Sequence, residues 1–204
     1  MAASCGGGGD ASDSSVVKYA SCGNTPNYGN DPGMKLLRWK KPFPLNVYVD
    51  LSLAPELSNG NNRDIYARAI RNGLSAWTVG NGIGTINYVS SLADADISLK
   101  FGTTRSVGEI ALTHYIRDGN YPNSYITKGT DILIDVRGIG ILAISSAGVL
   151  DETTVMQVVR HEMGHALFSA AHSGQRGDVM ANFDSPTLSA RDINSIREAY
   201  CQAL

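Results

Sequence analysis

His161 and His165 stand four residues apart, Glu162 directly follows the first, and His172 comes further along. On an α-helix a four-residue step is about one turn, so both imidazoles would lie on one face. Two rings so placed can hold one Zn2+ at about 2.0–2.1 Å. Glu162 is turned away round the helix from both rings and is badly placed to be a third ligand. Its carboxylate can instead reach a water beside the metal. Zinc lowers the pKa of such a water to about 7, which a carboxylate base can exploit. Glu162 is therefore the candidate general base, later handing the proton to a leaving amine.

A catalytic zinc ion usually takes three protein ligands. The candidates for the third are His172, Asp178 and His114, and His172 leads by chemistry and proximity. A continuous helix would set His161 and His172 about 16.5 Å apart along its axis. Two histidine arms cannot meet across that span. The helix must therefore end between Phe168 and His172, and the chain must turn back under the metal.

The elements that must position these residues can be read from periodicity. Thr154 and Gln157 have the spacing of a capping box for the helix carrying the two histidines, and Ser189 and Asp192 that of a box for a last helix. Ile193, Ile196, Tyr200 and Leu204 form that helix's apolar stripe. Residues 45–51 alternate as a strand, and 85–89, 95–101, 109–116 and 131–136 read as further strands. Residues 61–77 present Ile65, Ala69, Ile70, Gly73, Leu74 and Trp77 on one helical face, behind an asparagine cap. This order predicts an α+β domain over 35–204, a twisted sheet covered by helices. Residues 1–34, rich in Gly, Ser and Asp, read as a flexible tether.

With 204 residues, 43% of them hydrophobic, the chain can bury one sizeable core. The net charge of −2 and the absence of a basic cluster give no footprint for nucleic acid. No apolar run approaches the roughly 18 residues of a membrane span. Cys5, Cys22 and Cys201 match no zinc-ribbon spacing.

The stretch HEMGH, followed by FSAAHS and then GDVMAN, resembles the metzincin zinc metallopeptidases, closest to their matrixin-like group. Their signature is HExxHxxGxxH followed by a methionine turn. DVM puts Met180 at the turn methionine, and LSARDINSIREAY is similar to the group's closing helix. The resemblance covers residues 36–204. It departs at two places. Phe168 stands where the family has glycine, and His172 comes one residue late, the usual ligand position being Ala171. A one-residue insertion would widen the turn, remove the need for a left-handed glycine, and let Phe168 pack into the core.

The resemblance implies a mostly parallel sheet with one antiparallel edge strand, packed by the active-site helix and a C-terminal helix. It implies one catalytic zinc on His161, His165 and His172, with Met180 as an apolar floor. It also implies peptide substrate paired along the edge strand through Gly108, Ile110, Ala111 and Leu112, with Asn182 and Phe183 walling the pocket beyond the cleaved bond. The expected function is zinc-dependent hydrolysis of peptide bonds by a monomer. The alternatives are an inactive metzincin-like peptide- or protein-binding module, or a structural zinc domain. With only His114 to spare, a second histidine-bound zinc is not expected. Ca2+ is left open through Asp94, Asp96, Asp118 or Asp131.

AASC ahead of the Gly-rich stretch resembles the end of a bacterial lipoprotein signal peptide, with Cys5 as the lipidated residue. The resemblance implies a place outside the cytoplasm, secreted or in the cell envelope. Cys22 and Cys201 would then remain as one possible disulfide, the alternative being two unpaired thiols. SCGNTPN also faintly resembles a latency segment whose cysteine blocks the zinc, a reading that competes for the same Cys22 sulfur.

Overall fold

The structure, a computed structural model, describes residues 27–28, 36–56, 62–78, 83–104, 109–118, 125–144, 151–169, 171–183 and 185–201. Six described strands form one mixed sheet. They are β1 (Arg38–Trp39), β2 (Leu45–Asp50), β3 (Ile86–Tyr88), β4 (Ile97–Gly102), β5 (Ala111–Asp118) and β6 (Tyr125–Asp135). The order is β1-β6-β4-β2-β3, all parallel, and β5 pairs antiparallel with β6. The expected α+β class and mostly parallel sheet are found.

Four described α-helices accompany the sheet: α1 (Asn62–Ser75), α2 (Val136–Ala143), α3 (Glu152–Leu167) and α4 (Ala190–Cys201). Alternate residues of β2, β4 and β6 fill the core, Leu45, Val47, Ile97, Leu99, Ile132 and Ile134 all being fully buried. Against them lie Tyr66, Ala69, Ile70 and Leu74 of α1 and Val155, Val158, Val159 and Met163 of α3. The two helices cross closely because Gly73 has no side chain: a Cβ there would meet the Met156 carbonyl oxygen at 2.7 Å.

Several boundaries differ from the sequence expectation. α3 begins earlier than a Thr154–Gln157 box would allow. Its cap is Asp151, which accepts from the Thr153 N–H and from the Thr154 hydroxyl, at 3.0 and 2.6 Å. The Ser189–Asp192 box does form: Asp192 N–H donates to Ser189 Oγ at 3.0 Å and Ser189 N–H to Asp192 Oδ2 at 2.7 Å. β6 starts at Tyr125, before the expected 131, and α2 was not anticipated. There Asp135 ends the strand and caps the helix, accepting from Arg137 and Gly138 N–H groups.

Asn27 and Tyr28 fall within the stretch expected to be a tether. Tyr28 is nonetheless fully buried, its hydroxyl donating to Asp192 and its N–H to Ser195 Oγ at 2.8 Å. The packed domain thus takes in Tyr28. Cys201 is disulfide-bonded. Its expected partner Cys22, and Cys5, lie outside the described residues. No described helix is long and apolar enough to cross a membrane.

Candidate metal centre

α3 carries His161, Glu162 and His165 and ends at Leu167 with Phe168 as its cap, just ahead of the interval expected from reach. It ends without a left-handed residue. Phe168 caps it at φ −152° and ψ −11°, and no non-glycine residue among those described has a positive φ. The final carbonyls find donors elsewhere, as any helix end must. Gly164 oxygen takes the N–H groups of Phe168 and Ser169, at 2.9 and 3.1 Å. Ala166 oxygen takes Trp39 Nε1 at 2.9 Å, Leu167 oxygen the Tyr200 hydroxyl at 2.8 Å, and Phe168 oxygen the Leu37 N–H at 2.7 Å. Phe168 itself is fully buried, its ring 4.9 Å from Trp77 and 6.1 Å from Tyr28 between centroids.

Beyond this turn the chain brings His172 back to the helix. His161, His165 and His172 each offer a ring nitrogen within 4.8 Å of the others. Two of the rings have their tautomer fixed. His161 Nδ1 lies 2.6 Å from Val179 oxygen and His165 Nδ1 lies 2.8 Å from Ser169 oxygen. A carbonyl can only accept, so each Nδ1 carries the proton and each Nε2 is left with a bare lone pair. His161 Nε2 is buried and has no hydrogen-bond partner. Two nitrogens on one tetrahedral zinc, each bonded at about 2.0–2.1 Å, would stand about 3.3 Å apart. His165 Nε2 and His172 Nε2 are 3.3 Å apart.

Burial keeps both helical rings neutral. It pushes His161 down to about 3, aided by the neighbouring His165, and His165 down to about 4. A neutral imidazole is the form that binds metal. The residues present therefore fit a zinc ion.

The other two candidates for the third ligand are occupied or turned away. Asp178 is buried and accepts from the Ser173 hydroxyl, from Ser189 Oγ at 2.6 Å and from Arg191 Nε at 3.0 Å. His114 is exposed on β5, on the face opposite Thr113. Among the described residues the three histidines are the only group of three or more His, Cys, Asp or Glu side chains close enough to share a metal, and Asp94, Asp96, Asp118 and Asp131 do not gather into another.

Met180 is fully buried beside α3. The glycine inside HEMGH explains how closely: a Cβ on Gly164 would lie 2.2 Å from Met180 Sδ. The turn holding Met180 also supplies the Val179 carbonyl that fixes His161. Asp192 Oδ2 holds that turn from behind, accepting the Val179 N–H at 2.9 Å. The Phe183 ring stands edge-on to His161 at 4.6 Å, and Asn182 Oδ1 is buried without a partner.

Glu162 is 3% exposed. Burial lifts its carboxyl to about 7, with Glu109 adding to the rise and a hydrogen bond from Thr113 opposing it. A cation bound alongside would draw it down again. Thr113 Oγ1 lies 2.6 Å from Glu162 Oε2 and 3.1 Å from Glu162 oxygen. The motif gave no sign of this contact, which joins residues 49 apart.

β5 pairs with β6 alone among the described strands. The register sets Ala111 opposite Ile134, Leu112 opposite Leu133 and Thr113 opposite Ile132. Asp135 N–H donates to Ile110 oxygen at 2.8 Å, which makes 110 and 135 a hydrogen-bonded pair. Such pairs alternate along an antiparallel ladder. Ile110 and Leu112 therefore direct their backbone groups at β6, while Ala111 and Thr113 direct theirs at the outer edge. Of the described residues expected to pair with substrate, Ala111 has its backbone so placed, while Ile110 and Leu112 direct theirs at β6. Leu112 offers an exposed side chain, and Gly108 lies outside the described residues.

No family model matches the chain, and no curated protein matches it.

Proposed function

We propose that this chain is a zinc-dependent endopeptidase of metzincin type. The observation that carries the reading is the bare, buried, unpartnered Nε2 of His161, converging with His165 and His172 while its Nδ1 is committed to Val179. A nitrogen buried in that state is costly unless something fills its lone pair. His161, His165 and His172 would hold the zinc, which when bound supplies a Lewis acid that polarises a carbonyl and acidifies water. Glu162, adjacent to the first ligand and held as a carboxylate by the neighbouring cation, takes the proton from the attacking water on a carboxylate oxygen and returns it to the leaving amine. The outward backbone groups of β5 hold an extended peptide by strand addition. Phe183 and Asn182 close the cleft on the other side of His161. Buried Met180, seated on Gly164, supports the kinship with metzincins.

An extracytoplasmic setting belongs to the same reading. The disulfide at Cys201 supports it, since such bonds persist in oxidising compartments. A tether through lipidated Cys5 is consistent with that setting.

Two variants test the function. Glu162→Ala should keep one zinc per chain by elemental analysis and lose cleavage of unfolded casein by roughly 100-fold or more, the usual scale of a lost general base. His172→Ala should lose most of its zinc. Equal zinc in His172→Ala and wild type would remove His172 from the site, and wild type that binds zinc but cleaves nothing would leave a binding or structural domain.

A further inference from the structure

Thr113 stands where the expected substrate strand meets the expected base. Its backbone N–H and carbonyl face the outer edge of β5, by the ladder alternation that Ile110 and Asp135 fix. Its side chain stands out of the sheet plane on the face toward α3 and touches Glu162 Oε2 at 2.6 Å. The regular register runs only from Ala111 to His114, and a bulge follows between His114 and Ile116. Thr113 is thus close to the last point at which β5 keeps a fixed register with β6.

Resting on the peptidase reading above, we infer that Thr113 is a positioning residue that couples strand-paired substrate to Glu162. One residue registers the peptide with its backbone and holds the base with its hydroxyl. The hydroxyl donates to Glu162 Oε2, leaving the other carboxylate oxygen free to take a proton. Any shift of β5 on substrate docking is passed to the carboxylate through a single side chain. Threonine suits this role, because its β-branch is stiff at χ1 and at home in a strand.

The test compares Thr113→Val, which keeps shape and backbone but has no hydroxyl, with Thr113→Ser, which keeps the hydroxyl. Both are loaded with zinc and assayed on a quenched fluorescent peptide. Thr113→Val should lower kcat roughly 10- to 100-fold, the scale of a misplaced catalytic group, with KM changed by less than about twofold. Thr113→Ser should return kcat to within a few-fold of wild type. A second readout needs no turnover: the infrared carboxyl band of Glu162, isolated by difference against Glu162→Gln, should shift in Thr113→Val and stay in place in Thr113→Ser. A Thr113→Val protein with wild-type kcat, or with an unmoved band, overturns the assignment and leaves the peptidase reading standing. A wild-type protein that holds zinc and cleaves no peptide overturns the peptidase reading and the catalytic purpose given to Thr113, even where the band shifts.

Discussion

At the scale of single residues, the site depends on two places where a side chain is missing or unexpected. Gly164 is a helical glycine inside the histidine motif, a position where glycine costs about 1 kcal/mol against alanine in an ordinary helix. Here alanine would be worse. Its Cβ would sit 2.2 Å from Met180 Sδ and 2.9 Å from Trp77 Cζ2, so the turn below the histidines would have to move. Gly164→Ala should therefore lose about 1–3 kcal/mol in urea unfolding, despite its better helix propensity. Because Val179 in that turn fixes His161, the variant should also bind zinc more weakly. Phe168 occupies the place of the glycine in the metzincin signature that the motif resembles, but is a core residue between Trp77 and Tyr28. Phe168→Gly, which would install that signature's glycine, should cost at least the ~3 kcal/mol typical of emptying a buried aromatic site.

At the scale of elements, the C-terminal end of α3 is finished by other parts of the chain. Trp39 from β1, Tyr200 from α4 and Leu37 beside β1 each donate to one of its carbonyls. Trp39→Phe removes one donor and leaves the Ala166 carbonyl short of a partner, an expected loss of about 1–2 kcal/mol by thermal or urea melting. This explains what the sequence could and could not tell. The spacing of His161 and His165 is a local helical fact, legible from five letters. That the helix must stop before His172 followed from reach alone, and the Ser189–Asp192 box from a three-residue spacing. The donors that finish α3, the hydroxyl of Thr113 and the carbonyls of Val179 and Ser169 come from distant or backbone positions that no periodicity marks. The cap of α3 was misplaced because Thr154 looks like a cap and is in fact a donor to one. α2 leaves little mark in the sequence: Val136 reads as the end of the strand over 131–136, and Gly138 and Gly140 weaken the helical pattern that follows.

At the scale of the whole molecule, burying neutral histidines makes stability depend on pH. In the metal-free protein His161 and His165 titrate near 3 and 4, against about 6.5 in an unfolded chain. Between those values the unfolded state binds more protons, so stability rises with pH and is fully present only above about 6.5. Acid should therefore weaken the metal-free protein progressively from pH ~6.5 downwards, a trend that melting temperatures across pH would show. Asp135 adds a second loss at lower pH. Hydrogen bonds from Arg137, Thr104 and Gly138 hold its carboxyl well below the usual range, so its contribution is present above about 4 and falls away below it. Added zinc should raise the melting temperature near neutral pH by mass action, and less so in acid, where protons compete for the same nitrogens.

Asp192 has a consequence in time. It receives Tyr28 from across 164 residues of sequence and, through the Val179 N–H, steadies the turn that orients His161. During synthesis the histidine helix is made before Asp192, which follows it along the chain. A nascent chain that has already formed that helix therefore lacks the prop behind His161. The three rings can be held in their mutual places only after the ribosome has moved on past Asp192.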